Sequence, residues 1–238
     1  MDQEKLAPIG IIGAMDEELA LLKAAANASE SETLAGMEFC RGRLGGRDVV
    51  IVKSGIGKVN AGVCAQFLIS IFHVCRIINT GVGGAMDPRL NIGDMVISTD
   101  AVQHDFDVSP IGYAKGEVPE TGLAAFPADE QMRRDAVAAA KEAAADSLVL
   151  EGRVCSGDQF IASRQQKQNI LDTFGGLCCE MEGAAVAQVC WLNRVPFVII
   201  RAISDRADHA EEINYTSFAG LTARRSAATV RAMIEHEA

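Results

Sequence analysis

Basic residues are scarce in this chain: its 238 residues include 22 Lys and Arg against 32 Asp and Glu, a formal net charge of −10. Nucleic acids and anionic membranes both call for a basic face, so the composition argues against either partner. Long apolar runs are lacking too, and none approaches the ~20 residues that a membrane-spanning helix needs. The chain opens without a basic stretch followed by an apolar one, so no secretory leader is expected. Metal-ligand spacing is missing as well. Cys178 and Cys179 are adjacent, no CxxC pair occurs, and the four histidines are scattered, so no metal site is expected. The seven cysteines lie mostly in apolar segments such as Val63-Cys64-Ala65 and read as reduced core residues of a cytoplasmic protein. The dinucleotide fingerprint GxGxxG and the phosphate loop GxxxxGK[ST] are both absent. So are internal repeats, linkers and low-complexity segments.

What is present is ordinary in bulk and patterned in detail. Apolar residues make up 49% and charged residues 23%, the composition of a globular protein. One domain over residues 1–238 is expected, large enough to bury roughly three quarters of its extended-chain surface. Strand and helix patterns alternate. Strands are expected over Pro8–Ala14, Met37–Arg43, Val49–Lys53, Cys75–Thr80, Met95–Thr99, Ala101–Asp105, Val149–Cys155, Leu177–Cys179 and around Val198–Ile200. Helices are expected over Asp16–Ala26, Lys58–Phe72, Asp129–Asp146, Arg164–Phe174, Glu182–Leu192 and Tyr215–Glu237. The Gly- and Pro-rich stretch from Ser109 to Pro127 reads as a long loop, a length that usually signals function or disorder. Strands separated by helices of this length predict an α/β class, a three-layer α/β/α sandwich.

Six segments could carry chemistry. VPFVIIRAISD, Val195 to Asp205, is an apolar strand expected to leave the sheet near Arg201, Ser204 and Asp205, and ligands of open α/β sheets bind at such carboxyl ends. IGIIGAMDEE, Ile9 to Glu18, is a strand, turn and helix start whose Asp16, Glu17 and Glu18 would repel a phosphate. Those acids complement the helix dipole, or one of them serves as a base in a neutral-ligand pocket. In SGIGKVN, Ser54 to Asn60, Lys58 could hold a phosphate, or the segment is a plain turn into a helix. NTGVGGAMD, Asn79 to Asp87, lets backbone come close to a ligand or to a neighbouring strand. In CCEMEG, Cys178 to Gly183, extended backbone would put Glu180 and Glu182 on one face with Met181 opposite. Ribose hydroxyls or Arg201 could satisfy that acid pair, or the acids cap the following helix. Phe160, in SGDQFI, could stack on a flat ring or pack as core.

In that order and spacing, IGIIGAMDEE, KSGIGKVNAG, INTG, SGDQFI, EMEG and VPFVIIRAISD closely resemble the bacterial 5'-methylthioadenosine/S-adenosylhomocysteine nucleosidases of the nucleoside phosphorylase superfamily. The likeness runs from about Ile9 to the closing helix. It implies a nucleoside phosphorylase-like three-layer sandwich with a central mixed sheet, a homodimer, and hydrolysis, with no cofactor, of the bond between adenine and a 5'-thio-substituted ribose. By resemblance, Asp205 protonates adenine N7 with Ser204 orienting it. The Ile161 backbone reads the adenine edge and Phe160 stacks on the base. Glu182 holds the ribose 2'- and 3'-hydroxyls, with Met181 against the sugar. Glu18 activates water, helped by Arg201. Met15, Ile56 and Tyr215 line the sugar and alkylthio pocket, and Val108, Ile111 and Pro119 reach across the dimer interface. Three positions depart from the family pattern. Val82 replaces a frequent serine near the water, which implies a thinner solvent network. Tyr215 replaces a usual phenylalanine, and Gly183 a usual alanine.

The chemistry can be argued without the family. Breaking an N-glycosidic bond builds positive charge on the ribosyl ring, as in O-glycoside hydrolysis. The departing adenine needs a proton from an acid, and water on the other face needs a carboxylate base. Glu18 and Asp205 fit those roles. Two other enzyme readings share the fold. A purine nucleoside phosphorylase would need basic groups near the sugar, for which Arg41 and Arg43 are the candidates on one strand face. A hydrolase of a related adenine nucleoside such as aminodeoxyfutalosine would differ only at the 5' pocket. An adenine-ligand binding module would have no use for Glu18, Glu182 and Asp205 together.

Overall fold

The computed structural model describes residues 7–207 and 215–236, with side chains for 7–207 and 220–236. Ten strands form one mixed sheet with helices on both sides. β1 (Ile9–Gly13) lies between β4 (Arg47–Lys53) and β5 (Arg76–Ala85), parallel to both. All five residues of β1 are buried, as expected of a parallel strand covered on both faces. β3 (Met37–Leu44) and β2 (Glu30–Leu34) extend the sheet beyond β4 as antiparallel strands.

On the other side the sheet closes on itself. β5 pairs β10 (Phe197–Asp205), which pairs β6 (Met95–Gln103), then β8 (Val149–Ser156), then β9 (Cys178–Glu180), which returns to β5. The short β7 (Ala125–Pro127) pairs β6.

Helices α2 (Lys58–Ser70) and α5 (Gly183–Asn193) pack together over one face. There Ala61, Cys64, Leu68, Ala184, Val186 and Cys190 join Ile12 and Ile77 in a core. On the other face α6 (Tyr215–Glu235) packs against α1 (Asp16–Ala25) and α3 (Glu130–Ala143). Leu19, Leu22, Ala136, Ala140, Val230 and Ile234 meet Ile11, Ile51 and Ile200 in that second core. α4 (Arg164–Phe174) contributes Ile170 to a smaller cluster with Val102 and Cys155. The seven cysteines are free thiols, all but Cys75 fully buried. Burial raises six of them, as it does any thiol in apolar surroundings.

Four local expectations need correcting. β2, ESETL, has no apolar alternation and four of its five residues are exposed, so it carries no strand signal. Met95–Thr99 and Ala101–Asp105 form one strand, interrupted by a register shift against β8 between Ser98 and Ala101. The Ser109–Pro127 loop contains a turn of 3-10 helix at Ser109–Ile111 and ends in β7. β10 does not leave the sheet at Arg201. It continues to Asp205, with Arg201 opposite Gly81 of β5.

Candidate active site

The carboxyl ends of β1, β5 and β10 open into a cavity of about 250 Å³. It is lined by Met15, Glu18, Ile56, Phe160, Ile161, Met181, Glu182, Ser204 and Asp205, all anticipated from sequence. Ala14, Val82, Gly83, Gly84, Gln159, Cys179 and Glu180 complete the lining. The described lining residues thus include four carboxylates and no lysine or arginine.

Glu18 stands in the first turn of α1 and folds back over the end of β1. Its Oε2 accepts the N–H of Ala14 at 2.7 Å and of Met15 at 3.0 Å, and its Oε1 accepts the Val82 N–H at 3.3 Å. The residue is 3% exposed. Burial pushes its carboxyl up, against the opposing pull of the Arg201 guanidinium and the three N–H donors. A carboxylate raised by desolvation, with fixed donors that favour its ionised form, is suited to accept a proton. Val82 meets Glu18 through its backbone, so that contact does not depend on its side chain.

Asp205 ends β10. Its Oδ2 accepts the Ser204 hydroxyl at 2.8 Å and its Oδ1 the Ala207 N–H at 2.8 Å. The register against β5 shifts between Ile203 and Asp205, leaving Ser204 as the extra residue. Such bulges re-aim side chains beside active sites.

The glycines of NTGVGG have a definite purpose. A Cβ on Gly81 would lie 2.8 Å from Glu18 Oε1, and one on Gly84 would lie 2.9 Å from Asp205 Oδ1. β5 therefore stays bare where each carboxylate crosses it. Three residues of strand put the two crossing points about 10 Å apart.

The two acids of EMEG diverge. The chain leaves β9 at Glu180, so the extended-backbone expectation fails and Glu180, Met181 and Glu182 all border the cavity. Glu180 accepts the Ser156 hydroxyl, the N–H groups of Glu182 (3.2 Å) and Gly183 (2.8 Å), and the Arg201 guanidinium. It therefore caps α5 and neutralises Arg201. Arg201 is 2% exposed. It also donates to the Asn79 side chain at 2.5 Å and to the carbonyls of Asn79 and Ile200. It is not among the lining residues, and it acts on Glu18 through its charge. Glu182 is left with one hydrogen bond among those described, from the Gly57 N–H at 2.9 Å. Burial, then repulsion from Glu180, pushes its carboxyl up to about 7. On Gly183 an added Cβ would sit 2.9 Å from Ile199 Cδ1 and 3.1 Å from Glu180 Oε1, contacts that a small side-chain shift relieves.

Other sequence expectations fall elsewhere. Lys58 pairs with Asp105 at 2.5 Å and is not a cavity cation. Arg41 lies over the Phe72 ring, and Arg43 pairs with Asp48. Val108, Ile111 and Pro119 do not line the cavity. Ile111 is 73% exposed, and Pro119 borders a separate hollow beside Gln188, Trp191 and Arg194. The Tyr215 side chain lies outside the described residues. Sequence reasoning missed Cys179 as a lining residue, for a buried cysteine in an apolar run carries no signal beyond core. Gln159 stood inside a quoted motif without drawing notice.

A ligand cavity at the carboxyl ends of parallel strands, lined by acids and apolar side chains, defines an α/β enzyme for a small uncharged or weakly charged substrate. The sequence model of the phosphorylase superfamily matches residues 8–235, and the chain belongs to that superfamily. Within it, the 5'-methylthioadenosine/S-adenosylhomocysteine nucleosidase of Psychromonas ingrahamii is 42% identical over 229 residues, covering 96% of this chain and 98% of that protein. The crystal structure of the nucleosidase of the same name from Neisseria meningitidis, in complex with methylthio-immucillin-A, superposes with a TM-score of 0.90 at 36% identity, covering 97% of this chain and 100% of that one. The futalosine hydrolase of Helicobacter pylori superposes with a TM-score of 0.91 at 31% identity, covering 97% and 98%.

Proposed function

We propose that this cavity hydrolyses the N-glycosidic bond of 5'-methylthioadenosine and S-adenosylhomocysteine, releasing adenine and the 5'-thio-substituted ribose. The observation that carries the reading is a pair of carboxylates, Glu18 and Asp205, crossing one strand at Gly81 and Gly84 into one cavity. Asp205, oriented by the Ser204 hydroxyl, gives a proton to adenine N7 as the bond from C1' to N9 breaks. Glu18 takes a proton from the water whose oxygen bonds to C1'. Adenine thus leaves neutral, and the sugar gains a hydroxyl. Glu182 accepts the ribose hydroxyls, which donate well to a carboxylate. Phe160 stacks on the base, the Ile161 backbone reads its edge, and Met181 packs on the sugar. Met15, Ile56 and Tyr215 surround the 5' substituent. Arg201 favours the ionised form of Glu18 through its charge. The reaction requires no cofactor and no metal, and one domain carries it.

The enzyme acts as a cytoplasmic homodimer, with Val108, Ile111 and Pro119 serving the partner's cavity. Two observations support this. Those residues do not line their own cavity, and at its mouth Ile56 and Phe160 are 56% and 53% exposed. Buried thiols without disulfides are consistent with a reducing compartment, and no described helix is long and apolar enough to cross a membrane.

The likeness to futalosine hydrolase favours a second reading, in which the substrate is a related adenine nucleoside such as aminodeoxyfutalosine. The two readings share every step and differ in the 5' group. Chromatographic assay of adenine release, with each substrate and with or without phosphate, tests both. Release from methylthioadenosine without phosphate is expected. Strict phosphate dependence would make the enzyme a phosphorylase, and turnover of aminodeoxyfutalosine alone would favour the second reading.

A further inference from the structure

One charged cluster beside the cavity has no part in that chemistry. Lys58 and Asp105 have side chains only 16% exposed, and Lys58 Nζ meets Asp105 Oδ1 at 2.5 Å. Lys58 also donates to Gln103 Oε1 at 3.0 Å. The other oxygen of Asp105 accepts the Asp158 N–H at 2.8 Å, and Asp158 in turn accepts the Lys58 backbone N–H at 2.8 Å. The bonds form a closed cycle through three segments: the turn entering α2, the chain just past β6, and the turn after β8.

Two of those turns carry cavity residues. Ile56 and Gly57 directly precede Lys58, and Gln159 and Phe160 directly follow Asp158. Gly57 has φ of 100°, a conformation that costs other residues strain. Its N–H is the described donor to Glu182. A Cβ there would lie 3.2 Å from Asp158 Oδ1, so glycine also lets the two turns approach. Burial alone would raise the Asp105 carboxyl, but the Lys58 ammonium and the Asp158 N–H together hold it below the ordinary carboxylate range. An exposed ion pair contributes little. This one is largely covered, with Lys58 on one carboxylate oxygen and the Asp158 N–H on the other, and hydrogen bonds to an ionised group are the strong ones.

We propose that Asp105 is a positioning residue for substrate, which through Lys58 and Asp158 sets the Gly57 N–H against Glu182 and the Phe160 turn over the cavity mouth. The inference rests on the proposed role of Glu182 in ribose binding. Glu182 is faced by Glu180 from β9, Arg201 from β10, Glu18 from α1 and the Gly57 N–H from the α2 turn. Arg201 and the N–H favour its ionised form. Releasing the N–H therefore moves the ionisation of Glu182 upward.

The test compares Asp105→Asn, Lys58→Met and the double variant as full-length enzymes. It measures kcat and KM for methylthioadenosine across pH, and Kd for an adenosine analogue whose sugar–base bond is carbon–carbon. Asp105→Asn should raise KM and Kd about tenfold with kcat within about threefold. The acid limb of kcat/KM should move to higher pH, and the double variant should be no worse than either single one, as for a single unit. Unchanged KM and Kd in a folded variant, additive losses, or a fall in kcat with KM and Kd intact would each overturn the proposal. Should Asp105→Asn fail to fold, Asp158→Ala at an exposed position must raise Kd in the same direction, and an unchanged Kd there is equally fatal. If the unaltered protein binds the analogue but hydrolyses nothing, the functional reading fails, and the clamp is still judged from Kd.

Discussion

Glu180 and Glu182 are two residues apart in one motif, and the fold treats them in opposite ways. Glu180 gathers a buried arginine, a serine hydroxyl and two helix N–H groups. Its charge is fully answered by protein. Glu182 faces the cavity with the Gly57 N–H as its described donor, and its carboxyl is pushed up to about 7. One acid is satisfied without a ligand and the other is not. An acid that needs a donor the protein does not supply marks where a substrate hydroxyl would sit. Identical chemistry, placed at the end of a strand or just before a helix, thus becomes scaffold or site.

The contrast breaks if the two acids respond alike to removal of charge. Glu180→Gln removes the carboxylate paired directly with buried Arg201, which should cost about 3–5 kcal/mol of stability by denaturant unfolding. Tolerance of that change would show that the arginine is neutralised by other means. Glu182→Gln should instead keep the fold and lower kcat/KM for methylthioadenosine by about 10–100-fold at pH 8.

The same variant sharpens the comparison through pH. The folded Glu182 carboxyl titrates above its ordinary value of 4.5, at about 7. Its contribution to stability is therefore whole below 4.5 and is lost as pH rises through about 7. Removing the charge should raise Tm at pH 8 by about 3 °C and change it little at pH 4.5. A destabilised Glu182→Gln protein at pH 8 would mean that the ionised form is already satisfied without substrate.

Much of the site was legible in the sequence because its parts are short and local. An acid at the end of an apolar strand, acids in a first helical turn and a glycine run after another strand each carry a readable signal. Their relation was not readable. Only the β5–β10 register, with its shift around Ser204, brings Asp205 to Gly84. Only the return of α1 over β1 brings Glu18 to Gly81. The place of Arg201 was misjudged because a charged residue inside a buried strand reads as the end of that strand. Its pairing with an acid of EMEG was anticipated, whereas its Asn79 partner on β5 lies outside any sequence window. The sheet itself was mostly visible, except where polarity hid it. β2 is an exposed edge with no apolar face, and closure of β5, β10, β6, β8 and β9 into a ring depends on pairings with no local signature. That Val108, Ile111 and Pro119 stay out of their own cavity agrees with the family resemblance, but no local pattern in the loop carried it.

The central claim is that an acid and a base attack one sugar–base bond from its two ends. It is tested most directly by single-turnover cleavage of methylthioadenosine by the Asp205→Asn enzyme, with substrate binding measured in parallel. The expected result is cleavage slowed by about 10²–10⁴-fold, with Kd for the uncleaved analogue within about threefold of the unaltered enzyme. Cleavage at close to the original rate, with binding equally intact, would mean that the proton reaches adenine from another group and would contradict the account.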